Sequence, residues 1–289
     1  MEKIRLQVGF GKTLKSKCLT SSIVREFQAL VYRHYEQNGR TFPWRKTKNP
    51  YRILVSEIML QQTQVDRVTE KYKKFITDFP DFSALARAPL RKILKVWQGL
   101  GYNRRALALK KIAQTVIKEY SCVLPSTLDE LVKLPGIGKT TASEILAFAF
   151  NQPTVIIETN IRSVFIHFFF RNRNDVKDAE ILPLVKKTLD ASNPRTWYYA
   201  LMDYGTTLKK TYKNPGRKSL HYRKQSPFNG SNRQVRGMIL KTLTTKRHIS
   251  EKEIACILPV SAGQIKRNLV DLEKEGFIRK KGKRVSIAS

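Results

Sequence analysis

The sequence has few cysteines, few histidines and few acidic residues for its length. Its 289 residues include 3 cysteines and 4 histidines, and 55 lysines and arginines stand against 23 aspartates and glutamates. The cysteines Cys18, Cys122 and Cys256 are far apart and odd in number, which argues against a disulfide framework and a cysteine-rich metal site. The histidines show no ligand spacing either. We therefore expect no metal.

The sequence also lacks long apolar runs. No stretch approaches the roughly 18 apolar residues of a membrane-spanning helix, and the N-terminus lacks the apolar core of a secretion signal. Hydrophobic residues still make up 41% of the chain, which favours packed domains over a disordered basic tail. We therefore expect a folded protein that has no membrane partner.

A large basic excess accompanies this shortage of acidic residues. The net charge is +32 and the isoelectric point is near 10.3, which predicts a polyanionic partner such as nucleic acid. The excess is uneven, because residues 204–250 contain no acidic side chain. We expect this acid-free segment to contact DNA, and we expect a monomer that is cytoplasmic and associated with the nucleoid.

Apolar residues at helical spacing dominate the chain up to residue 212. The only run with β character in this part, residues 155–157, is too isolated to build a sheet. The predicted fold class is therefore all-α, in two lobes, followed by a small C-terminal domain. The predicted divisions are a basic arm at 1–20, one lobe at 21–50 with 156–212, a six-helix lobe at 51–155, a basic linker at 213–232 and the C-terminal domain at 233–289.

The C-terminal domain has a pattern of its own. Three short helical patterns precede a hairpin with a basic tip at residues 280–283, which together describe a winged helix-turn-helix. Its third helix would present polar side chains to a DNA groove, and these are Gln264, Lys266, Arg267 and Asn268. The alternative is a winged helix that packs on protein and binds no DNA.

The most specific local pattern is LPGIGKT at residues 134–140. Two glycines one residue apart make a tight turn between two helices. Free amides at the start of the second helix form an anion site that fits a DNA phosphate. The residues expected to contact the phosphate are Gly136, Gly138, Lys139 and Thr140. The alternative is an ordinary glycine cap between two core helices.

Two carboxylates stand in apolar surroundings. Burial of Glu57, within ILVSEIML, would raise its pKa and suit it to act as a general acid. A solvent-facing position or an internal arginine partner would instead make Glu57 structural. Glu158 precedes a predicted helix, and capping that helix is its simpler interpretation. Two carboxylates facing one pocket are, however, the arrangement that cleaves a glycosidic bond.

Five segments occur in the order found in one protein family. They are Trp44-Arg45, SEIMLQQTQV at 56–65, WQGLGY at 97–102, the LPGIG turn and ALMDYG at 200–205. Together they resemble the MutY-type adenine DNA glycosylases of the helix-hairpin-helix superfamily, over roughly residues 21–210. The resemblance implies a base excision repair glycosylase that acts on mispaired double-stranded DNA and removes adenine opposite 8-oxoguanine or guanine. The alternatives are a glycosylase for thymine or uracil opposite guanine and a non-enzymatic DNA-binding protein.

The resemblance also implies roles for individual residues. Glu57 matches the general acid, Glu158 stands where the family has an aspartate that stabilises the sugar cation, and Asn160 matches an asparagine beside it. Trp44 and Arg45 match the wall of the base pocket. Tyr199 departs from the family, which commonly has Gln or Glu against the base at this position. The remaining matches, at the opened base stack and the opposite base, are Gln62, Thr63, Leu100 and Tyr102.

One difference from the bifunctional relatives and two departures from the family pattern carry further expectations. Thr140 replaces the lysine that forms a Schiff base in bifunctional relatives, so we expect base removal without efficient strand cleavage. Lys139 is expected to contact phosphate instead. Residues 205–225 lack the four cysteines of the family's iron–sulfur cluster, so no cofactor is expected. The family's C-terminal lesion-reading domain is absent from the pattern, and the predicted winged helix follows in its place.

Overall fold

The computed structural model describes residues 19–288. The basic arm predicted at residues 1–20 lies almost entirely outside this range. Up to residue 232 the described residues form α-helices, two short 3-10 helices and connecting turns, which confirms the all-α prediction. These helices are α1 (Ser21–Asn38), α2 (Pro50–Leu60), α3 (Val65–Asp78), α4 (Phe82–Arg87), α5 (Leu90–Trp97), α6 (Arg104–Glu119), α7 (Leu128–Leu131), α8 (Lys139–Phe150), α9 (Thr159–Phe169), α10 (Asp178–Thr188) and α11 (Pro194–Thr211).

The chain divides into two compact units. The described residues of the first unit are 19–48, 126–128 and 138–224, and those of the second are 49–125, 129–137 and 225–288. Helices α1 and α8 to α11 therefore belong to the first unit. Helices α2 to α6 share the second unit with the C-terminal segment, which we define as residues 225–288.

An aromatic cluster forms the centre of the first unit. The ring of Phe27 on α1 lies between 5.4 and 5.9 Å from the rings of Phe165, Phe168, Phe169 and Trp197. Tilted and edge-on ring pairs at this spacing add specific stabilisation to the area that they bury. This cluster packs α1 against α9 and α11, the helices that carry several of the candidate site residues.

The core of the second unit is built from α2 to α6. Helix α2 begins at Asn49, whose side chain accepts a hydrogen bond from the amide of Arg52, and Pro50 occupies the first helical position, where its missing amide proton costs nothing. From Ile53 to Met59 every residue of α2 is buried. A helix buried all round is a core element, so polar side chains within it need a specific reason.

The C-terminal segment contains the three helices and the hairpin that its sequence predicts. Its elements are α12 (Asn232–Thr245), β1 (Ile249–Ser250), α13 (Glu251–Ile257), α14 (Ala262–Lys274), β2 (Ile278–Lys281) and β3 (Arg284–Ile287). The strands form an antiparallel sheet in the order β1-β3-β2. Gly282, with a φ of +59°, supplies the left-handed backbone of the β2–β3 turn.

One residue predicted on the exposed face of α14 is buried instead. Asn268 is 1% exposed, and its Nδ2 donates to Oδ1 of Asn232 at 2.9 Å and to the carbonyl of Gln264 at 2.8 Å. The prediction that Asn268 faces a DNA groove is therefore wrong, because its amide joins α14 to α12. Lys266 and Arg267 are exposed and Gln264 is partly exposed.

A helix that crosses a bilayer must be both long and apolar. Among residues 19–288, no helix is both long enough and apolar enough to traverse a membrane.

Candidate active site

Glu57 is a buried carboxyl on α2, in the second unit. It is 7% exposed, which excludes the solvent-facing alternative. The hydroxyl of Ser56 lies 3.3 Å from its Oε1 and 2.7 Å from the carbonyl of Ile53. A carboxyl retained in a helix that is otherwise packed with apolar side chains is typical of a functional position.

Arg105 ties together two turns that sequence reasoning did not connect. It lies on α6 and is 5% exposed. Its Nη1 donates to the carbonyls of Ile58, Met59 and Gln61 at 2.9, 2.8 and 2.7 Å. Its Nη2 donates to Oγ1 of Thr63 at 2.9 Å and to the carbonyls of Leu100 and Gly101 at 3.2 and 3.0 Å. Burial lowers the pKa of Arg105 to about 10, so the guanidinium is still cationic at neutral pH.

We call these two turns, residues 60–63 and 98–102, the wedge turns. Each contains a non-glycine residue with left-handed backbone, Gln62 with a φ of 55° and Tyr102 with a φ of 44°. Such conformations persist where the surrounding structure enforces them, and they cluster at functional sites. The hydrogen bonds of Arg105 hold both turns in these conformations. In the sequence, the signal for this role is that Arg105 falls on the same face of α6 as the apolar residues Leu109 and Ile112.

The four residues expected at the opened base stack and the opposite base differ in their exposure. Gln62 is exposed, and Thr63 and Tyr102 are partly exposed. Leu100 is 4% exposed, and its expected role at the opened base stack or the opposite base stays a prediction. Its side chain packs inside the second unit, and its carbonyl accepts from Arg105.

Glu158 caps α9 in the first unit, as its position predicts. Its Oε1 accepts from the amides of Asn160 and Ile161 at 2.7 and 2.8 Å. Its Oε2 accepts from Oγ1 of Thr159 at 3.0 Å and from Nδ2 of Asn160 at 3.2 Å. The carboxylate is therefore held in one orientation by the start of the helix.

Lys209 is a further residue of this cluster that sequence reasoning missed. It lies on α11 and donates from Nζ to Oδ1 of Asn160 at 2.9 Å. Burial lowers its pKa, although the charge of Glu158 works in the opposite direction. Lys209 follows the apolar residue Leu208 near the end of a helix, and nothing in that pattern distinguishes it from a surface lysine.

Arg45 takes part in a buried ion pair. Its Nη1 and Nη2 donate to Oδ2 and Oδ1 of Asp203 at 2.8 and 2.9 Å, and Arg40 donates from Nε to Oδ1 at 2.7 Å. Burial acts to raise the pKa of Asp203, but the hydrogen bonds and charges of the two arginines outweigh it and lower that pKa. Asp203, in the ALMDYG motif, is thus a structural partner that the sequence did not assign.

The other two residues expected at the base pocket are also packed in the first unit. The guanidinium carbon of Arg45 lies 4.5 Å from the centre of the Tyr199 ring, which stacks on Phe148 at 4.5 Å. Trp44 is 3% exposed and stacks on Phe42 at 5.1 Å. A role for these residues against a base stays a prediction.

The glycine turn has the geometry that its sequence indicates. Gly136 has a φ of +81°, and a Cβ at this position would lie 3.1 Å from that of Ala108. Gly138 precedes α8 and supplies no side chain to its first amides. Lys139 and Thr140 are exposed. The start of α8 is therefore open to an anion.

Comparison with known proteins places the chain in a family. Residues 55–185 match the model of the HhH-GPD superfamily of base excision DNA repair proteins. A relative in Mycolicibacterium smegmatis, named adenine DNA glycosylase, is 34% identical over 72% of this chain and 77% of its own. The chain belongs to the HhH-GPD superfamily. This confirms the family resemblance derived from the sequence.

Two further relatives extend the comparison. An adenine DNA glycosylase of Buchnera aphidicola subsp. Baizongia pistaciae is 38% identical over 63% of this chain and 52% of its own. The chain thus spans about half the length of the Buchnera relatives that it matches. A thermostable thymine-DNA glycosylase of known structure aligns with a TM-score of 0.60 and 27% identity, over 66% of this chain and 90% of its own.

The chain does not fit the iron–sulfur cluster that the resemblance implies for this superfamily branch. Four thiolate ligands are required, whereas residues 205–225 contain no cysteine, and Cys122 and Cys256 are both exposed and free. In residues 19–288, no group of three or more His, Cys, Asp or Glu side chains is placed to hold a metal. That the protein works without a cluster stays a prediction.

Ordinary hydrogen bonds hold the segment where those cysteines would be expected. A 3-10 helix, Pro215–Lys218, precedes a parallel bridge between Val176 and Ser219. The amide of Val176 donates to the carbonyl of Lys218 at 2.9 Å. Gly216 passes so close to Ser163 that a Cβ would lie 2.9 Å from its hydroxyl oxygen. The segment therefore packs directly on α9.

Proposed function

We propose that this protein is a monofunctional DNA glycosylase of base excision repair that removes adenine opposite 8-oxoguanine or guanine. The observation that carries the proposal is the burial of Glu57 on the helix that leads into the first wedge turn. A buried carboxyl can hold a proton for the departing base, and the adjacent turn carries the exposed Gln62. The names of the two adenine DNA glycosylase relatives support adenine as the base.

The proposed reaction assigns one task to each carboxyl. Glu57 protonates the flipped base as the N-glycosidic bond breaks, so the base leaves neutral and the sugar becomes an oxocarbenium-like cation. Glu158, fixed by the first amides of α9, stabilises that cation electrostatically. The Glu57 carboxylate then takes a proton from the attacking water, which regenerates the acid and gives an abasic site.

Double-stranded DNA with a mispair is the proposed partner. The exposed start of α8 would bind a phosphate through its amides and Lys139. The acid-free residues 204–250 supply further positive charge, and Lys266 and Arg267 on α14 are exposed for a second contact. Each neutralised phosphate adds about −0.9 to the slope of log affinity against log salt. We propose that the active form is a monomer.

The proposed enzyme leaves the backbone of the DNA intact. Thr140 is exposed on the first turn of α8 and cannot form an imine with the opened sugar. Base removal should therefore yield abasic DNA that breaks only on treatment with alkali.

A second candidate function is removal of thymine or uracil opposite guanine. Two observations favour it: the solved relative named thymine-DNA glycosylase aligns over 90% of its length, and Tyr199 stands where an amide or carboxyl was expected. A tyrosine stacked on Phe148 and Arg45 offers a base a different set of hydrogen bonds.

A panel of mispaired duplexes tests the proposal. Each duplex is incubated with the full-length chain, treated with alkali and resolved by denaturing electrophoresis. We expect strand breaks at adenine opposite 8-oxoguanine or guanine. Breaks at thymine or uracil opposite guanine alone would establish the second candidate. Tight binding of one duplex sequence with no excision would instead make the protein a non-enzymatic DNA-binding protein.

A further inference from the structure

The hydroxyl of Tyr102 is held by two side chains from the beginning of the C-terminal segment. Arg233, on the first turn of α12, donates from Nη1 to this oxygen at 2.6 Å. Gln225 donates from Nε2 to the same oxygen. The guanidinium carbon of Arg233 also lies 5.3 Å from the centre of the Tyr102 ring, within the range of a cation–π contact. The second wedge turn thus touches a residue 131 positions later in the chain.

Arg233 is tied at the same time to the chain that leads into α12. Its Nη2 donates to the carbonyl of Ser226 at 2.7 Å and lies 3.4 Å from the carbonyl of Pro227. A guanidinium presents five donors in a planar fork, so one side chain can hold two partners in a fixed relation. The orientation of Tyr102 therefore depends on the position of the C-terminal segment.

A second anchor fixes that position. Arg91 on α5 donates from Nε to the carbonyl of Thr244 at 2.9 Å and from Nη2 to that of Thr245 at 3.0 Å. Gln98, at the start of the second wedge turn, donates from Nε2 to Oγ1 of Thr244 at 2.7 Å. Both ends of α12 are therefore attached to α5 and the turn that follows it.

We propose that the C-terminal segment positions the wedge, with Arg233 and Gln225 fixing Tyr102 for insertion into the base stack. The inference rests on the proposed function. It assigns the C-terminal segment a role in base flipping, in addition to its expected contacts with DNA. Arg233 acts through Tyr102 and is therefore a positioning residue. An ordered side chain loses less entropy when it inserts, which lowers the cost of extruding the base.

Two single variants and their combination test the coupling. Arg233→Gln removes the charged donor, and Tyr102→Phe removes the acceptor while keeping the ring and the contacts of Arg233 with Ser226. We expect each to slow single-turnover base excision about tenfold, with the double variant no slower than either single one. Lys241→Gln is the control for loss of charge, because it removes one positive charge from an exposed position on the same helix and in the same acid-free segment. Any loss of DNA affinity through charge alone should therefore appear in both Arg233→Gln and Lys241→Gln.

Two further readouts separate positioning from general damage. The fluorescence of 2-aminopurine beside the target base reports flipping, and its increase should fall in Arg233→Gln and Tyr102→Phe. Amide hydrogen exchange of residues 99–103 should accelerate in Arg233→Gln and not in Lys241→Gln. The exchange experiment needs neither DNA nor activity, and Tyr102→Phe covers the case in which Arg233→Gln does not fold.

The outcomes distinguish the two proposals. A wild-type protein that excises no base from any duplex contradicts the proposed function, whereas the exchange experiment still decides the coupling. An active wild type with unchanged rates and unchanged exchange in Arg233→Gln contradicts the positioning role alone. Additive losses in the double variant would mean that Arg233 contacts DNA independently of Tyr102.

Discussion

Lys209 donates a hydrogen bond to Oδ1 of Asn160, and this contact decides which way the Asn160 amide faces. With its oxygen held by the ammonium, the amide turns Nδ2 towards Oε2 of Glu158 at 3.2 Å. A lysine, an asparagine and a carboxylate thus form one chain of hydrogen bonds at the start of α9. The lysine orders a carboxylate that we expect to face the sugar.

Replacing Lys209 by Gln should therefore impair excision without unfolding the first unit. A glutamine amide can still donate to Asn160 but lacks the charge, so we expect single-turnover excision to fall about tenfold. Lys210→Gln, at the exposed neighbouring position, is the control for charge loss. Equal effects of the two variants on rate and on DNA affinity would indicate phosphate binding in place of carboxylate positioning.

Glu57→Gln should abolish base release and leave DNA binding nearly intact. Glutamine has almost the same shape but cannot supply the proton, and loss of a general acid typically lowers the rate by at least about a hundredfold. Excision is measured under single turnover, and affinity by fluorescence anisotropy on a mispaired duplex. Parallel loss of binding and activity would make Glu57 a structural residue.

Arg105→Met should destabilise the second unit and loosen both wedge turns. The substitution takes the guanidinium away from the buried carbonyls of Ile58, Met59 and Leu100, at a cost of about 3 kcal/mol. Urea unfolding followed by circular dichroism measures this loss. Arg104→Met, at the exposed position before it, should change the unfolding free energy by less than about 0.5 kcal/mol. A similar loss of stability in the two variants would contradict the role of Arg105 in holding the wedge turns.

The ion pairs of Asp203 predict a particular loss of stability in acid. Because the pKa of Asp203 is lowered below its ordinary value of 3.8 in the folded protein, its stabilisation is complete above that value. It is lost as the pH falls through the folded pKa, since the protonated acid no longer pairs with Arg40 and Arg45. Asp203→Asn should be less stable at pH 7 and should lose less stability between pH 5 and 3, measured by urea titration. If the unfolding free energy of Asp203→Asn fell with acid as steeply as that of the wild type, this would contradict the lowered pKa of Asp203.

The wild-type protein should form no covalent adduct with DNA when borohydride is added during the reaction. Thr140 has no amine to form an imine with the opened sugar. Thr140→Lys places an amine at the same exposed position and should gain a trapped adduct, seen as a shifted band under denaturing conditions. A strong adduct with the wild-type protein would show that another lysine, such as Lys209, attacks the sugar.

Patterns formed by residues close together in the sequence predicted the helices, the glycine turn, the cap of α9 and the family. The all-α body followed from helical spacing, the open start of α8 from two glycines, and the capping by Glu158 from its place before a helix. The family followed from five short motifs in order. All of these depend on local backbone geometry or on segments that can be recognised one at a time.

Contacts between distant residues were decided only by the tertiary structure. Arg105, Lys209 and Asp203 look like ordinary polar helix residues in the sequence, yet each is a hydrogen-bond centre because of what packs against it. Asn268 was misplaced for the same reason, since exposure depends on neighbouring elements as well as on residue type. The sequence by itself determined the helices, the turns and the family. Only tertiary packing determined which polar side chains are buried and paired, because a buried polar group must find its partner wherever the fold places one.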